Sequence, residues 1–99
     1  MHIEHAGDNE VVITGNIKSV EDSLLIKETI NTLVAQGSQN IHLKIKDSLS
    51  ITSTMIGYLM KLVHQEKVHL FITVGDSRLY SLLEELKLLQ QFNVHLTEH

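Results

Sequence analysis

Between residues 41 and 46 apolar and polar side chains alternate, with Ile41, Leu43 and Ile45 set against His42, Lys44 and Lys46. A period of two puts the aliphatic set on one face of a strand and the polar set on the other. The pattern therefore predicts a strand buried on one side, with Lys44 and Lys46 turned away from the hydrophobic layer or beyond its edge. Val68, Leu70, Ile72 and Val74 repeat the alternation, and Phe92, Val94 and Leu96 predict a short closing strand. At the N-terminus, residues 2–6 and 10–15 flank the turn sequence Gly7-Asp8-Asn9, and Val11, Val12 and Ile13 are β-branched, which predicts a β-hairpin.

Three stretches switch to the helical period. Ser19-Val20-Glu21-Asp22 has the form of a capping box with a shorter acid, and Val20, Leu24, Ile26 or Lys27, Ile30, Leu33 and Val34 make a stripe that ends at Gly37. Thr52-Ser53-Thr54 sits where the next helix should begin, and Ile56, Leu59, Met60 and Val63 carry that helix to about Glu66, with Met60 in the core. Gly75-Asp76-Ser77 supplies a stop and a cap, and Leu79, Leu82, Leu83, Leu86 and Leu89 follow at helical spacing. The resulting order, β-β-α-β-α-β-α-β, is that of an α/β protein. Its helix-linked strands should be joined by right-handed crossovers into a mixed sheet, with helices packed mainly on one face and the other face partly open.

Length and charge narrow the function classes. The 99 residues form one expected domain, 1–99, able to bury roughly 60 to 65% of its unfolded surface. With no Cys, disulfides, thiolate metal sites and a cysteine nucleophile are excluded. No run approaches the ~18 apolar residues of a membrane span, and Met1-His2-Ile3-Glu4-His5 lacks the pattern of a signal peptide, so the expected location is cytoplasmic. A net charge of −4, scattered basic residues and the absence of Trp argue against a nucleic-acid surface.

The hydroxyl triplet is the strongest candidate for chemistry. Thr52 or Ser53 can cap the helix by accepting a hydrogen bond from a free backbone N–H, and the hydroxyls beside the cap stand at the positive end of the helix dipole, where a phosphate would be well placed. Met55 and Tyr58 are expected to form an exposed apolar spot beside it, suited to a partner. The seven histidines show no paired metal-ligand spacing, so no metal site is expected. Ser53 with His64 and Glu66 does not make a nucleophilic triad, because the latter two lie about three helical turns away and no glycine-rich elbow precedes the serine. Gly75-Asp76-Ser77 is read as a turn and cap rather than an anion site.

This order of elements, with Thr52-Ser53-Thr54-Met55-Ile56-Gly57 at the start of the second helix, resembles the STAS domain shared by anti-sigma factor antagonists and the cytoplasmic tails of sulfate transporters. The family pattern there is Asp-Ser-Ser-Gly-Leu-Gly. Gly75-Asp76-Ser77 and the run from Leu86 to Val94 resemble the family's C-terminal half, so the likeness covers nearly the whole chain. It implies a non-catalytic regulator without a cofactor, bound by an anti-sigma factor that is also a serine kinase and reset by a phosphatase. By position the phosphoacceptor is Thr54, with Ser53 adjacent, and the partner surface comprises Thr52, Ser53, Thr54, Met55 and Tyr58. Three positions depart from the pattern. Thr52 replaces the Asp, Met55 replaces a Gly, and Lys44 stands at a strand position often acidic in the family. With the sequence read to His99, the extra C-terminal helix of many relatives is not expected within these residues. Thr52 and Met55 favour an alternative, a constitutive STAS subunit docked on the ATPase of a bacterial lipid ABC transporter. A nucleotide-sensing module is a third reading.

Overall fold

The computed structural model describes residues 1–7 and 9–97; Asp8, within the expected Gly7-Asp8-Asn9 turn, lies outside the described residues, as do Glu98 and His99. Strands β1 (His2–Ala6) and β2 (Glu10–Thr14) pair antiparallel, with Ile3 opposite Ile13 and His5 opposite Val11. Helix α1 (Val20–Ala35) leads to β3 (Asn40–Ile45), α2 (Ser53–His64) to β4 (His69–Val74), and α3 (Ser77–Glu85) to β5 (Val94–Leu96). Strands β2 to β5 run parallel, and the five-stranded sheet has the order β1-β2-β3-β4-β5. The chain is thus a mixed α/β fold in which each helix bridges two neighbouring parallel strands, as parallel pairing requires.

The expected alternation holds in β3, where Ile41, Leu43 and Ile45 are buried and His42, Lys44 and Lys46 exposed. By register, Val11 and Ile13 of β2, Leu70, Ile72 and Val74 of β4 and Val94 of β5 share the face of Leu43 and Ile45. They form one core with Ile26, Ile30 and Leu33 of α1, Leu59 and Leu62 of α2, and Leu79 and Leu83 of α3. All three helices therefore cover one face. On the other face His42 packs against Phe71 with ring centroids 5.0 Å apart.

The helices differ from expectation in phase and length. In α1 the buried stripe is Ser23, Ile26, Ile30 and Leu33, which leaves Val20 and Leu24 exposed. Its ends match the sequence pattern: Ser19 and Asp22 make a reciprocal capping box, and Gly37, at φ 100°, follows the last turn. In α2 the stripe is Met55, Tyr58, Leu59 and Leu62, one residue earlier than expected. Helix α3 stops at Glu85, so Leu86 is exposed and Leu89 lies beyond the helix. Lys87 at φ 63° turns the chain, while Leu88 N–H donates to Leu83 O at 2.9 Å and Lys87 N–H to Glu84 O at 3.0 Å. That is a Schellman stop built without glycine. Phe92 is buried just ahead of β5, whose strand pairing begins at Val94.

Candidate functional site

The loops leaving β2, β3 and β4 meet at the carboxyl ends of the parallel strands, and side-chain hydrogen bonds sew the first two together. Asp47 Oδ1 accepts the Gly15 N–H at 2.6 Å, and Asn16 Oδ1 accepts the Leu49 N–H at 2.9 Å. Ser48 is buried; its Oγ accepts from Ile17 N–H at 3.0 Å and donates to Ser50 O at 2.7 Å. On the far side, Gly75 N–H donates to Ile45 O at 2.9 Å. The segment leading into α2 is therefore held from both flanks before the hydroxyl triplet begins.

Within the triplet the three residues divide their tasks. Thr52 is the N-cap of α2, its Oγ1 accepting from Met55 N–H at 3.1 Å. The same oxygen lies 2.6 Å from Ser23 Oγ, which also reaches Ser19 O at 3.3 Å. Because Thr52 supplies the cap, Ser53 and Thr54 have no such duty and stand exposed in the first turn. They face different surroundings. Ser53 lines an open groove of about 480 Å³ between α2 and the end of α3, walled by Ile51, Ile56, Met60, Leu82, Leu86 and Leu88, with Gln91 as its other polar residue. Thr54 lines a smaller cleft of about 220 Å³ between α2 and α1, where Lys27 and Lys61 are the charged residues.

The exposed apolar spot expected from Met55 and Tyr58 is absent. Met55 is 1% exposed and Tyr58 8%, because they lie on the stripe that faces the sheet and α1. The Tyr58 hydroxyl donates to Asn31 Oδ1 at 2.6 Å, and burial, followed by the charge of Glu66, pushes its ionisation far above the ordinary phenol range. Met60, expected in the core, is instead 37% exposed, and with Leu86 at 46% it provides apolar surface beside Ser53. Leu24 does the same beside Thr54. Seven apolar or aromatic residues between Met55 and Val63 leave the buried phase of α2 ambiguous in the sequence.

The other candidate groups have local partners. Asp76 caps α3 by accepting from Arg78 N–H at 2.8 Å, and its carboxylate also takes Arg78 Nε at 3.0 Å and a terminal guanidinium nitrogen at 2.8 Å. His64 Nε2 meets Gln91 Oε1 at 2.9 Å and is not directed at Ser53; His2 meets Glu4 Oε1 at 3.3 Å. Among the described residues no three His, Asp or Glu side chains converge as a metal-binding group, and no helix is long and apolar enough to cross a membrane.

The architecture defines a mixed α/β domain whose distinctive feature is a pair of free hydroxyls at a helix start between two recesses. No family model and no curated protein matches the chain. Among solved structures it is similar to the NMR structure of the protein TM1081, at 18% identity and a TM-score of 0.67, over 96% of this chain and 79% of that one. At this identity the similarity is one of fold.

Proposed function

We propose that the chain is a STAS-type regulatory module without catalytic activity that binds an anti-sigma or related switch kinase and is controlled by phosphorylation at Thr54 or Ser53. One observation carries the reading: Thr52 takes the capping role, so the next two hydroxyls are exposed at the amino end of α2. A kinase needs such a hydroxyl accessible, and a phosphate there adds about −1.5 to −2 charge without disturbing the core. The apolar surface of Leu24, Met60 and Leu86 on either side offers the desolvated contacts from which protein partners draw affinity. A new charge in its midst would oppose docking by repulsion and desolvation, leaving the fold unchanged. Peptide mass spectrometry of residues 50–60 from the native cells, with and without stress, tests the reading. Phosphate on Thr54 or Ser53 supports it; a stoichiometric stable complex lacking phosphate under every condition overturns it.

A second reading has its own support. The bond between Thr52 and Ser23 and the burial of Met55 make the loop rigid, as a constitutive subunit of a multiprotein complex, such as a bacterial lipid ABC transporter, would require. Recovery of an ABC-type ATPase with the protein favours this role; recovery of a kinase removes it.

A further inference from the structure

The two exposed hydroxyls differ in their surroundings, and under the phosphorylation reading, on which the inference rests, that difference has a chemical consequence. Ser53 opens into a groove whose lining carries no charge. Thr54 opens into a cleft lined by two lysines and no carboxylate. Lys61 comes seven residues after Thr54 on α2, which returns it to the same helix face, and both residues line the cleft. Lys27 comes from α1 across the cleft, with its Nζ 5.5 Å from the centroid of the Tyr58 ring. Tyr58 is fixed by its bond to Asn31, so the ring is a rigid wall against which the ammonium rests. Gly57, one turn after Thr54, also lines the cleft, and a Cβ added there would meet nothing within 4 Å. The space beside Thr54 is consequently open.

We propose that Lys27 and Lys61 form a cationic clamp for a phosphate on Thr54, joining α1 to α2 through that phosphate, whereas a phosphate on Ser53 has no such partner. The two ammonium groups match the dianion in charge, and they approach it from two different helices. None of the α1 acids, Glu21, Asp22 and Glu28, lines the cleft; Asp22 is held by the Lys18 and Ser19 backbone N–H groups, and Glu66, just after α2, whose charge reaches Tyr58, is not in the lining either. His64 is engaged with Gln91. The clamp makes Thr54 the acceptor whose modified state is held as one defined conformation.

The test uses the full chain with phosphothreonine genetically encoded at position 54 and, separately, phosphoserine at position 53. Phosphorus NMR then tracks the second phosphate ionisation from about pH 4 to 8. A clamp favours the dianion, so the position-54 phosphate should titrate about half a unit lower than it does in a Lys27→Gln/Lys61→Gln background, whereas the position-53 phosphate should be unmoved by the same substitutions. Both lysines are exposed, so the double variant should keep the fold, as its circular dichroism spectrum would show. Equal titration of the position-54 phosphate with and without the lysines overturns the clamp. Neither result depends on a kinase or partner, so the clamp and the regulatory reading can fail separately.

Discussion

Ser23 Oγ and Thr52 Oγ1 lie 2.6 Å apart across 29 residues of sequence, joining the first turn of α1 to the cap of α2. With Ser23 donating to Ser19 O and Thr52 accepting from Met55 N–H, one proton order uses all three contacts: Met55 N–H to Thr52, Thr52 O–H to Ser23, Ser23 O–H to Ser19 O. Each hydroxyl donates once and accepts once, so the chain of bonds is fully satisfied. Thr52→Ala should cost about 1 kcal/mol as a lost N-cap, and Ser23→Ala a similar amount. Since both remove the same relay, the double variant should cost clearly less than the sum of the two. Urea unfolding of the four proteins measures this; strict additivity would refute the relay.

Gly75 is required for a steric reason. A Cβ at this position would collide with the Lys46 carbonyl oxygen and lie 2.9 Å from its carbonyl carbon, and both are backbone atoms of the neighbouring strand exit. The Gly75 N–H bond to Ile45 O holds the two segments at that spacing. Gly75→Ala should therefore destabilise by about 3 kcal/mol, near the top of the range for overpacking. A thermal midpoint unchanged from the wild type would show that the β4 exit can move away.

The end of α3 offers the opposite opportunity. Lys87 occupies the left-handed region at φ 63°, a conformation that strains a residue with a Cβ and suits glycine. The Lys87 side chain is exposed. Lys87→Gly should raise stability by roughly 0.5–1 kcal/mol, read as an increase in the urea midpoint with an unchanged slope. A decrease would mean that the lysine side chain contributes more than its backbone strain costs.

These positions show what the sequence could and could not reveal. The alternation in β3 was legible because it pairs aliphatic residues with charged ones, and only one phase buries them sensibly. In α2 the apolar residues occupy most of the circumference, so periodicity alone places Met60 in the core and Met55 and Tyr58 at the surface. The end of α3 carries no glycine, and the leucines continue past it at helical spacing, so only the backbone turn at Lys87 reveals the stop. The hydroxyl triplet was legible as a helix start. That Thr52 is the member taken up by the cap, and that Ser53 and Thr54 look into different recesses, depends on Ser23, Lys27 and Leu86, which are distant in sequence. Ser23 and Ser48 are buried serines that carry no apolar signature, and burial is what makes them informative.

Acid should weaken the fold through two aspartates. The backbone N–H of Lys18, with help from the Ser19 N–H, holds the Asp22 carboxyl below its ordinary range; the Arg78 side chain does the same for Asp76. Because both folded values lie below the unfolded ones, the stabilisation is fully present above the unfolded carboxylate value of about 3.9 and is lost as the pH falls through the folded values. Stability measured from neutral pH downward should hold until about pH 4 and then decline, and Asp22→Asn should flatten that acid limb. An Asp22→Asn profile parallel to the wild type would assign the decline to other groups.

Carboxylates placed at the two free hydroxyls test the proposed switch directly. Thr54→Glu and Ser53→Glu both alter exposed side chains in the first turn of α2, where a negative charge suits the helix dipole, so each variant should unfold at or slightly above the wild-type midpoint. Their effects on binding depend on their surroundings. Glutamate at 53 introduces an uncompensated charge into a groove lined by Ile56, Met60 and Leu86. Glutamate at 54 faces lysines but fills the cleft beside Leu24 and carries charge to the rim of the same surface. Tagged wild type and variants, used as bait in extracts of the native cells, should differ by at least about tenfold in recovery of the switch kinase, a loss of about 1.4 kcal/mol. Ser53→Glu should show the larger loss, since nothing in its groove offsets the charge. Full retention of the kinase by both folded variants would exclude charge at this helix start as the means of control.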